Sequence, residues 1–440
     1  MSIAIQTLRA LAQTIVMPSY LFTLVIIMIM FYIKNRKISF MQKMIIGQDI
    51  ESPLELTLSQ VTLSIIAGAL GSVILAYLGV AFQDNSSIVL LFLISIILTF
   101  AGSRFICFSY SGAVLGVASV AVQFLAANNM INVNSVKFLE VDVVMLMSLV
   151  GVLHIIEGIL VMFDGKSGAI PVFTNRNNKI IGGFAFKRYW ILPVTLFIII
   201  NSPNLNGTVN VATPGFWPLI RTNLTDIAKN VVMSFAVFYG VIGYKSVTFT
   251  KTKRKKALTS GLGVALYGLI LLGLAQVLKY NLVEQLVLAI LAPLMHETML
   301  RLEAYSELKG EPKFISDDGI MVLEVAPNSP AKEMGIKSGD LVLEINDTKI
   351  LTEEDISKSI QNVSTYVWLK IKDVQGKLNE VSYNKFDRNK KLGLVFVPKD
   401  MPKESKVVKF DHKNFDDVLD DATKNDEKQD ENEKDDNKKM

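Results

Sequence analysis

The sequence is poor in the side chains that do chemistry. Its 440 residues include one cysteine, Cys107, and three histidines, His154, His296 and His412. A single cysteine excludes a disulfide framework within one chain. His154 and His296 lie in apolar runs and His412 in a charged tail, so no soluble histidine is placed to serve a Ser-His-Asp protease. Lys and Arg fall between apolar runs rather than along one soluble face, which gives nucleic acid no footing. The formal net charge of +4 averages a basic first part and an acidic end. The first apolar run has no small-x-small cleavage site, and Lys34, Arg36 and Lys37 follow it, which is not the arrangement of a cleaved signal peptide.

What is present is apolar residue in long stretches. Half of the chain is hydrophobic, and up to about Leu300 it falls into uncharged runs with short polar breaks. About 20 apolar residues are needed for a helix to cross the hydrocarbon core. The candidate spans are Met17–Ile33, Thr62–Phe82, Ile88–Ser103, Phe105–Ala127, Val141–Phe163, Trp190–Ile200, Val231–Val247, Ala257–Leu278 and Leu282 to about Met299. The sixth is short, and the last carries Glu284, His296 and Glu297. Basic loops stay on the cytoplasmic side. They follow the first run (Lys34 to Lys43), the fifth (Lys166 to Arg188) and the seventh (Lys251 to Lys256), and the alternate loops are nearly free of Lys and Arg. Nine crossings with the N-terminus outside satisfy this pattern. The sixth and seventh runs cross as a pair or not at all, so the part beyond Leu308 is expected in the cytoplasm. Tyr189, Trp190, Phe216 and Trp217 are expected at the membrane interfaces, and Gly112-x-x-x-Gly116 fits close helix packing.

Beyond Leu308 the composition becomes that of a soluble β-rich module. Gly319–Val325 reads as a strand stopped by Pro327. Ser329-Pro330 opens a short helix that Gly335 ends. Gly339–Asn346 enters a second strand, Thr352–Gln361 is an amphipathic helix with Ile356 and Ile360 on one face, and Tyr366–Lys372 and Leu378–Tyr383 form a hairpin around Gly376. Val325-x-x-x-Ser329-Pro330-Ala331, followed by Gly335-Ile336-x-x-Gly339-Asp340 and Ile345-Asn346, resembles the signature of bacterial PDZ domains. In that family a Leu-Gly-Leu loop stands in for the carboxylate-binding loop, and Lys391-Leu392-Gly393-Leu394 matches it here. The resemblance implies a peptide added as a strand beside that loop, with Ile356 and Ile360 on the opposite wall. From Asp411 to Met440 there are 12 Asp and Glu against 6 Lys and few apolar residues, a composition expected to be disordered. The expected layout is an α-helical polytopic membrane domain (1–307), a small β-rich α+β PDZ domain (308–398) and a disordered acidic tail (399–440).

An intramembrane zinc protease needs His-Glu-x-x-His on one helix. His296-Glu297-Thr298-Met299-Leu300 starts that pattern and puts Leu300 where the second ligand belongs. Ionisable groups at membrane depth suggest function by default. His154, Glu157, His296 and Glu297 are the residues that could in principle assemble a metal site, but both pairs are expected toward the cytoplasmic ends of their helices, paired with one another or with Lys and Arg, so no metal, no catalytic residue and no cofactor is expected.

The order of parts resembles the MinJ-like topological determinants of Gram-positive cell division. Local stretches carry the resemblance: Leu153-His154-Ile155-Ile156-Glu157-Gly158, Pro171-Val172-Phe173 leading to Gly182-Gly183-Phe184, Arg188-Tyr189-Trp190-Ile191-Leu192-Pro193, Trp217-Pro218-Leu219-Ile220 and Pro293-Leu294-Met295-His296-Glu297. It implies a non-enzymatic membrane scaffold at septum and poles that bridges DivIVA-like and Min-like division proteins. Its implied contacts are membrane lipid, those division proteins and an extended or C-terminal peptide in the groove. The alternatives are a degenerate site-2-protease-like protein that binds peptide or metal, and a transporter.

Overall fold

The computed structural model describes residues 2–48, 50–84, 86, 88–101, 105, 107–132, 136–200, 211–220, 232–361, 365–385 and 391–399. The acidic tail lies outside the described residues. The elements of the first part are helices α1 (Ile3–Ile15), α2 (Pro18–Ile46) and α3 (Pro53–Leu78), strand β1 (Ala81–Gln83), helices α4 (Val89–Ala101), α5 (Phe108–Ala127) and α6 (Val143–Asp164), strands β2 (Ile170–Arg176), β3 (Lys179–Ile199) and β4 (Met233–Thr248), and helices α7 (Lys253–Val277) and α8 (Leu282–Lys309). Their starts follow from local chemistry. Ser52, Asp142, Thr252 and Asn281 each accept a backbone N–H three residues on, which satisfies a donor the first turn would otherwise leave open. Among the described residues, α2, α3, α5, α6, α7 and α8 are long and apolar enough to cross a membrane. Large apolar side chains point outward in rows, Leu258, Leu262, Leu266 and Leu269 on α7 and Leu21, Phe22, Val25 and Ile29 on α2. Such surface suits lipid and would be an aggregation hazard in water. The protein is polytopic.

α6 sits at the centre with nearly every side chain buried. It meets α7 backbone to backbone: a Cβ built on Gly158 would lie 2.5 Å from the Gly261 carbonyl oxygen, and one on Gly268 equally close to that of Gly151. Small residues at such crossings let the helices approach to van der Waals contact. Gly112 and Gly116 also pack closely, against Val150 of α6 and Ala289 of α8.

The sixth and seventh runs correct the helical expectation. They are not helices but the antiparallel strands β3 and β4, paired from Phe184↔Thr248 to Ile199↔Met233. A strand inside a bilayer must have both edges satisfied by protein, because lipid offers no hydrogen bonds. At its two ends the other edge of β3 is covered by β2, antiparallel, and by β1, parallel. Between them α3 covers it with side chains. Gln60 Nε2 donates to the Tyr189 carbonyl at 3.1 Å, the Ile191 N–H donates to Ser64 Oγ at 3.1 Å, and the Thr195 N–H donates to Ser72 Oγ at 2.9 Å. Pro193 has no N–H, and there the backbone closes on Gly68. Four helical residues rise about 6.0 Å and two strand residues about 6.6 Å, so a polar position every fourth residue matches an edge donor every second.

Two ion networks bind the sheet to the helices. The carboxylate of Asp164 accepts from Arg188 Nε at 3.0 Å, Arg188 Nη2 at 2.6 Å and Trp190 Nε1 at 2.9 Å, all buried. Lys256 is buried between Glu303 at 2.9 Å and Glu307 at 3.1 Å. Sequence reading placed Arg188 and Lys256 in basic loops and Trp190 at an interface; all three are interior, as is Trp217, while Phe216 is exposed.

The C-terminal domain contains β5 (Phe314–Ile315), β6 (Ile320–Val325), α9 (Pro330–Glu333), β7 (Leu341–Ile345), β8 (Thr348–Lys349), α10 (Glu353–Gln361), β9 (Val367–Lys372), β10 (Leu378–Tyr383) and β11 (Leu394–Val397). The sheet runs β10-β9-β7-β6-β11, with β8 beside β7. α8 continues to Lys309, β5 pairs with β3 of the membrane part, and the module's own sheet starts at Ile320. The two parts share a core. Leu323, Ala326, Val395 and Val397 pack with the membrane cluster, whereas Ile320, Val322, Ile336, Leu369 and Leu392 form a separate one. Phe184 and Phe314 meet edge to face at 5.6 Å, and Lys253 pairs with Glu324.

Candidate functional site

The groove expected from sequence is built on β11 and α10. β11 is the last strand of its sheet and pairs with β6, Leu394↔Val325. Its alternation divides two cores, because successive side chains of a strand face opposite ways. Val395 and Val397 face the membrane part, and Leu394 and Phe396 pack on the inner cluster. Gly393 has φ +80°, and a Cβ there would come within 2.1 Å of the Ser329 Cβ. Only glycine fits this turn. The loop is stitched to the segment before α9: Ala326 N–H donates to the Gly393 carbonyl at 2.8 Å and Ala331 N–H to that of Leu392 at 3.1 Å.

α10 is fixed at its start by a reciprocal cap. Leu351 and Thr352 N–H donate to Asp355 Oδ2 at 3.0 and 2.8 Å, and the Asp355 N–H donates to Thr352 Oγ1 at 3.3 Å. These donors hold the Asp355 carboxyl below the usual carboxylate range. The helix then turns Ile356 into the inner cluster, with Ile360 partly buried against it. Leu392, Leu394, Ile356 and Ile360 thus share one apolar cluster. Lys391 is exposed, with its side chain over Gly47 at the end of α2.

The candidate metal residues separate. His154 at mid-α6 and His296 at mid-α8 come together, rings 5.5 Å apart between centres. A residue outside the expected set joins them: Cys107, which caps α5, has its Sγ 2.9 Å from His154 Nε2 and 3.4 Å from His296 Nε2. Glu157 follows His154 by one turn. Glu297 turns elsewhere, to Arg301 at 2.9 Å and the Tyr110 hydroxyl at 3.2 Å. The signal available in sequence was that Cys107, His154 and His296 are scarce residues inside apolar runs. Nothing in the spacing says that their three runs are neighbours. The Asp164–Arg188–Trp190 network was also missed, because each member was read within its own segment.

The PDZ-domain family profile matches residues 321–373. The cell division topological determinant MinJ of Bacillus subtilis (strain 168) is 24% identical over 262 residues, covering 58% of this chain and 62% of the relative. The chain is similar to MinJ and carries a C-terminal PDZ domain. Two probable cell division topological determinants MinJ, from Lacticaseibacillus paracasei and Lacticaseibacillus casei (strain BD-II), are each 29% identical over 87 residues. The match spans less than two thirds of the Bacillus relative's length and about a quarter (24%) of the Lacticaseibacillus ones. The likeness to MinJ therefore extends well beyond the PDZ profile, which alone covers 53 residues (321–373).

Proposed function

We propose that this MinJ-like chain is a membrane scaffold of the division site, an adaptor without turnover that recruits Min-type proteins to septum and poles. Its PDZ groove, formed by Lys391, Leu392, Gly393 and Leu394 with Ile356 and Ile360, receives an extended or C-terminal peptide, and its cytoplasmic loops take further partners. One observation carries the reading. The PDZ sheet shares its outer face with the core of a polytopic body, through Leu323, Val395 and Val397. A peptide added to such a module is held at a fixed place on the membrane, which is what a positional adaptor requires. The resemblance to MinJ supports the division site as that place. The basic loops around Lys34 to Lys43 and Lys251 to Lys256 support a cytoplasmic PDZ domain.

The test is localisation of a fluorescent fusion in dividing cells, beside a fusion truncated after Lys309. Enrichment at septa and poles, lost on truncation, is the expected result. Uniform membrane fluorescence together with normal division removes the scaffold reading.

A further inference from the structure

We infer that Cys107, His154 and His296 form a zinc site inside the membrane part, a structural clamp on three helices. The ligand atoms, one sulfur and two imidazole nitrogens, all lie within 4.8 Å of one another. They come from elements far apart in sequence: the cap of α5, the middle of α6 and the middle of α8. With zinc–sulfur near 2.3 Å and zinc–nitrogen near 2.0–2.1 Å, a tetrahedral centre sets sulfur and nitrogen about 3.5 Å apart. The observed separations of 2.9 and 3.4 Å are both shorter than that spacing, and opening the nearer one by about 0.6 Å is within the reach of side-chain adjustment.

The orientation of His154 is that of a ligand. Its Nδ1 lies 2.7 Å from the Val150 carbonyl oxygen, which can only accept, so Nδ1 carries the proton. In the neutral ring Nε2 is then the bare nitrogen, and it points at Cys107 Sγ. Fixing the tautomer through the far nitrogen is the usual outer-shell device of metal-binding histidine. The surroundings suit a water-poor centre. The Tyr267 ring lies 4.8 Å from the His154 ring and 5.4 Å from that of His296, and the Tyr110 ring 5.7 Å from His296. Tyr267 is itself held, its hydroxyl 2.7 Å from Ser109 Oγ and donating to the Ala292 carbonyl at 3.0 Å.

Mixed thiolate and imidazole donors suit zinc, which takes them in tetrahedral geometry, and elemental analysis separates zinc from copper. Binding converts the Cys107 thiol to a thiolate, forms one Zn–S and two Zn–N bonds and releases one proton to solvent. Water or Glu157, one turn beyond His154, completes the fourth position. The clamp needs no His-Glu-x-x-His motif, because it performs no hydrolysis. It ties α8, the helix that leads to the PDZ domain, to α5 and α6.

The test uses the full chain in detergent, purified with a tag free of histidine. Elemental analysis is expected to find about one zinc per chain, falling at least about tenfold in Cys107→Ser and His154→Gln, while Glu297→Gln keeps it. A second measurement needs no variant: cobalt added to the chelator-stripped wild-type chain is expected to give a thiolate-to-cobalt charge-transfer band that saturates at one equivalent. A wild-type chain without zinc and without that band, stoichiometric copper in place of zinc, or zinc retained in the ligand variants overturns the inference.

Discussion

Asp164 shows what a single carboxylate does in this interior. It accepts three donors from Arg188 and Trp190, and Arg188 Nη2 also donates to Ser59 Oγ at 2.9 Å, so the strand, α6 and α3 meet at the Arg188 guanidinium. A buried ion pair adds little over a well-packed apolar pair, but removing one partner strands the other. Asp164→Asn is therefore expected to cost about 3–5 kcal/mol in thermal unfolding of the detergent-solubilised chain, and the double change Asp164→Leu with Arg188→Met less than that. Asp355 gives a pH-dependent case. Its folded carboxyl lies below the unfolded value of about 3.9, so its capping contribution is complete above that value and is lost as pH falls through the folded one. Acidification below about pH 4 should raise amide exchange in α10 before the rest of the PDZ domain, and Asp355→Ala should abolish that acid dependence. Equal exchange in both chains at all pH values would refute it.

At the scale of elements, the pairing of α3 with β3 explains how a strand persists among membrane helices. Ser64 and Ser72 of α3 each take one edge N–H and return their own protons to the helix, Ser64 to the Gln60 carbonyl at 2.6 Å and Ser72 to that of Gly68 at 2.7 Å. Removing both hydroxyls leaves the Ile191 and Thr195 N–H groups buried and unmatched, at about 1–3 kcal/mol each. Ser64→Ala with Ser72→Ala should lower the melting temperature measurably, whereas Thr23→Ala on an exposed face should leave it within about 0.5 kcal/mol of wild type. An unchanged melt in the double variant would mean that water reaches this edge.

For the molecule as a whole, topology depends on pairs. β3 and β4 traverse the same depth in opposite directions, so they leave the sidedness of later loops unchanged. The orientation inferred from basic loops therefore does not depend on whether that pair is counted as two crossings or none. Docking of the PDZ domain rests on apolar contacts around Phe314, Leu323 and Val397, with Lys253–Glu324 at the margin. Lys253→Glu should raise cleavage by added protease in the connection at Glu311–Lys313 about fivefold, for a pair contributing about 1 kcal/mol, and Lys253→Glu with Glu324→Lys should restore protection. Equal cleavage in all three chains would place the docking energy entirely in the apolar contacts.

The sequence by itself determined the polytopic character, most helix positions and the order of PDZ elements, because long apolar runs, caps and turn glycines act over a few residues. Ser329, Gly335, Gly376 and Gly393 stand where their turns require them. It did not determine whether Trp190–Ile200 and Val231–Val247 were helix or strand. A strand buried on both faces is a continuous apolar run, as a membrane helix is. The β-branched and aromatic content of the second run was a hint toward strand. Only the tertiary structure decided that those runs pair, because the side chains that satisfy the strand edge, the donor Gln60 and the acceptors Ser64 and Ser72, lie more than a hundred residues away. It likewise decided that Cys107 meets His154 and His296, since the face a helix presents follows from its sequence, whereas the neighbour it presents that face to follows from packing.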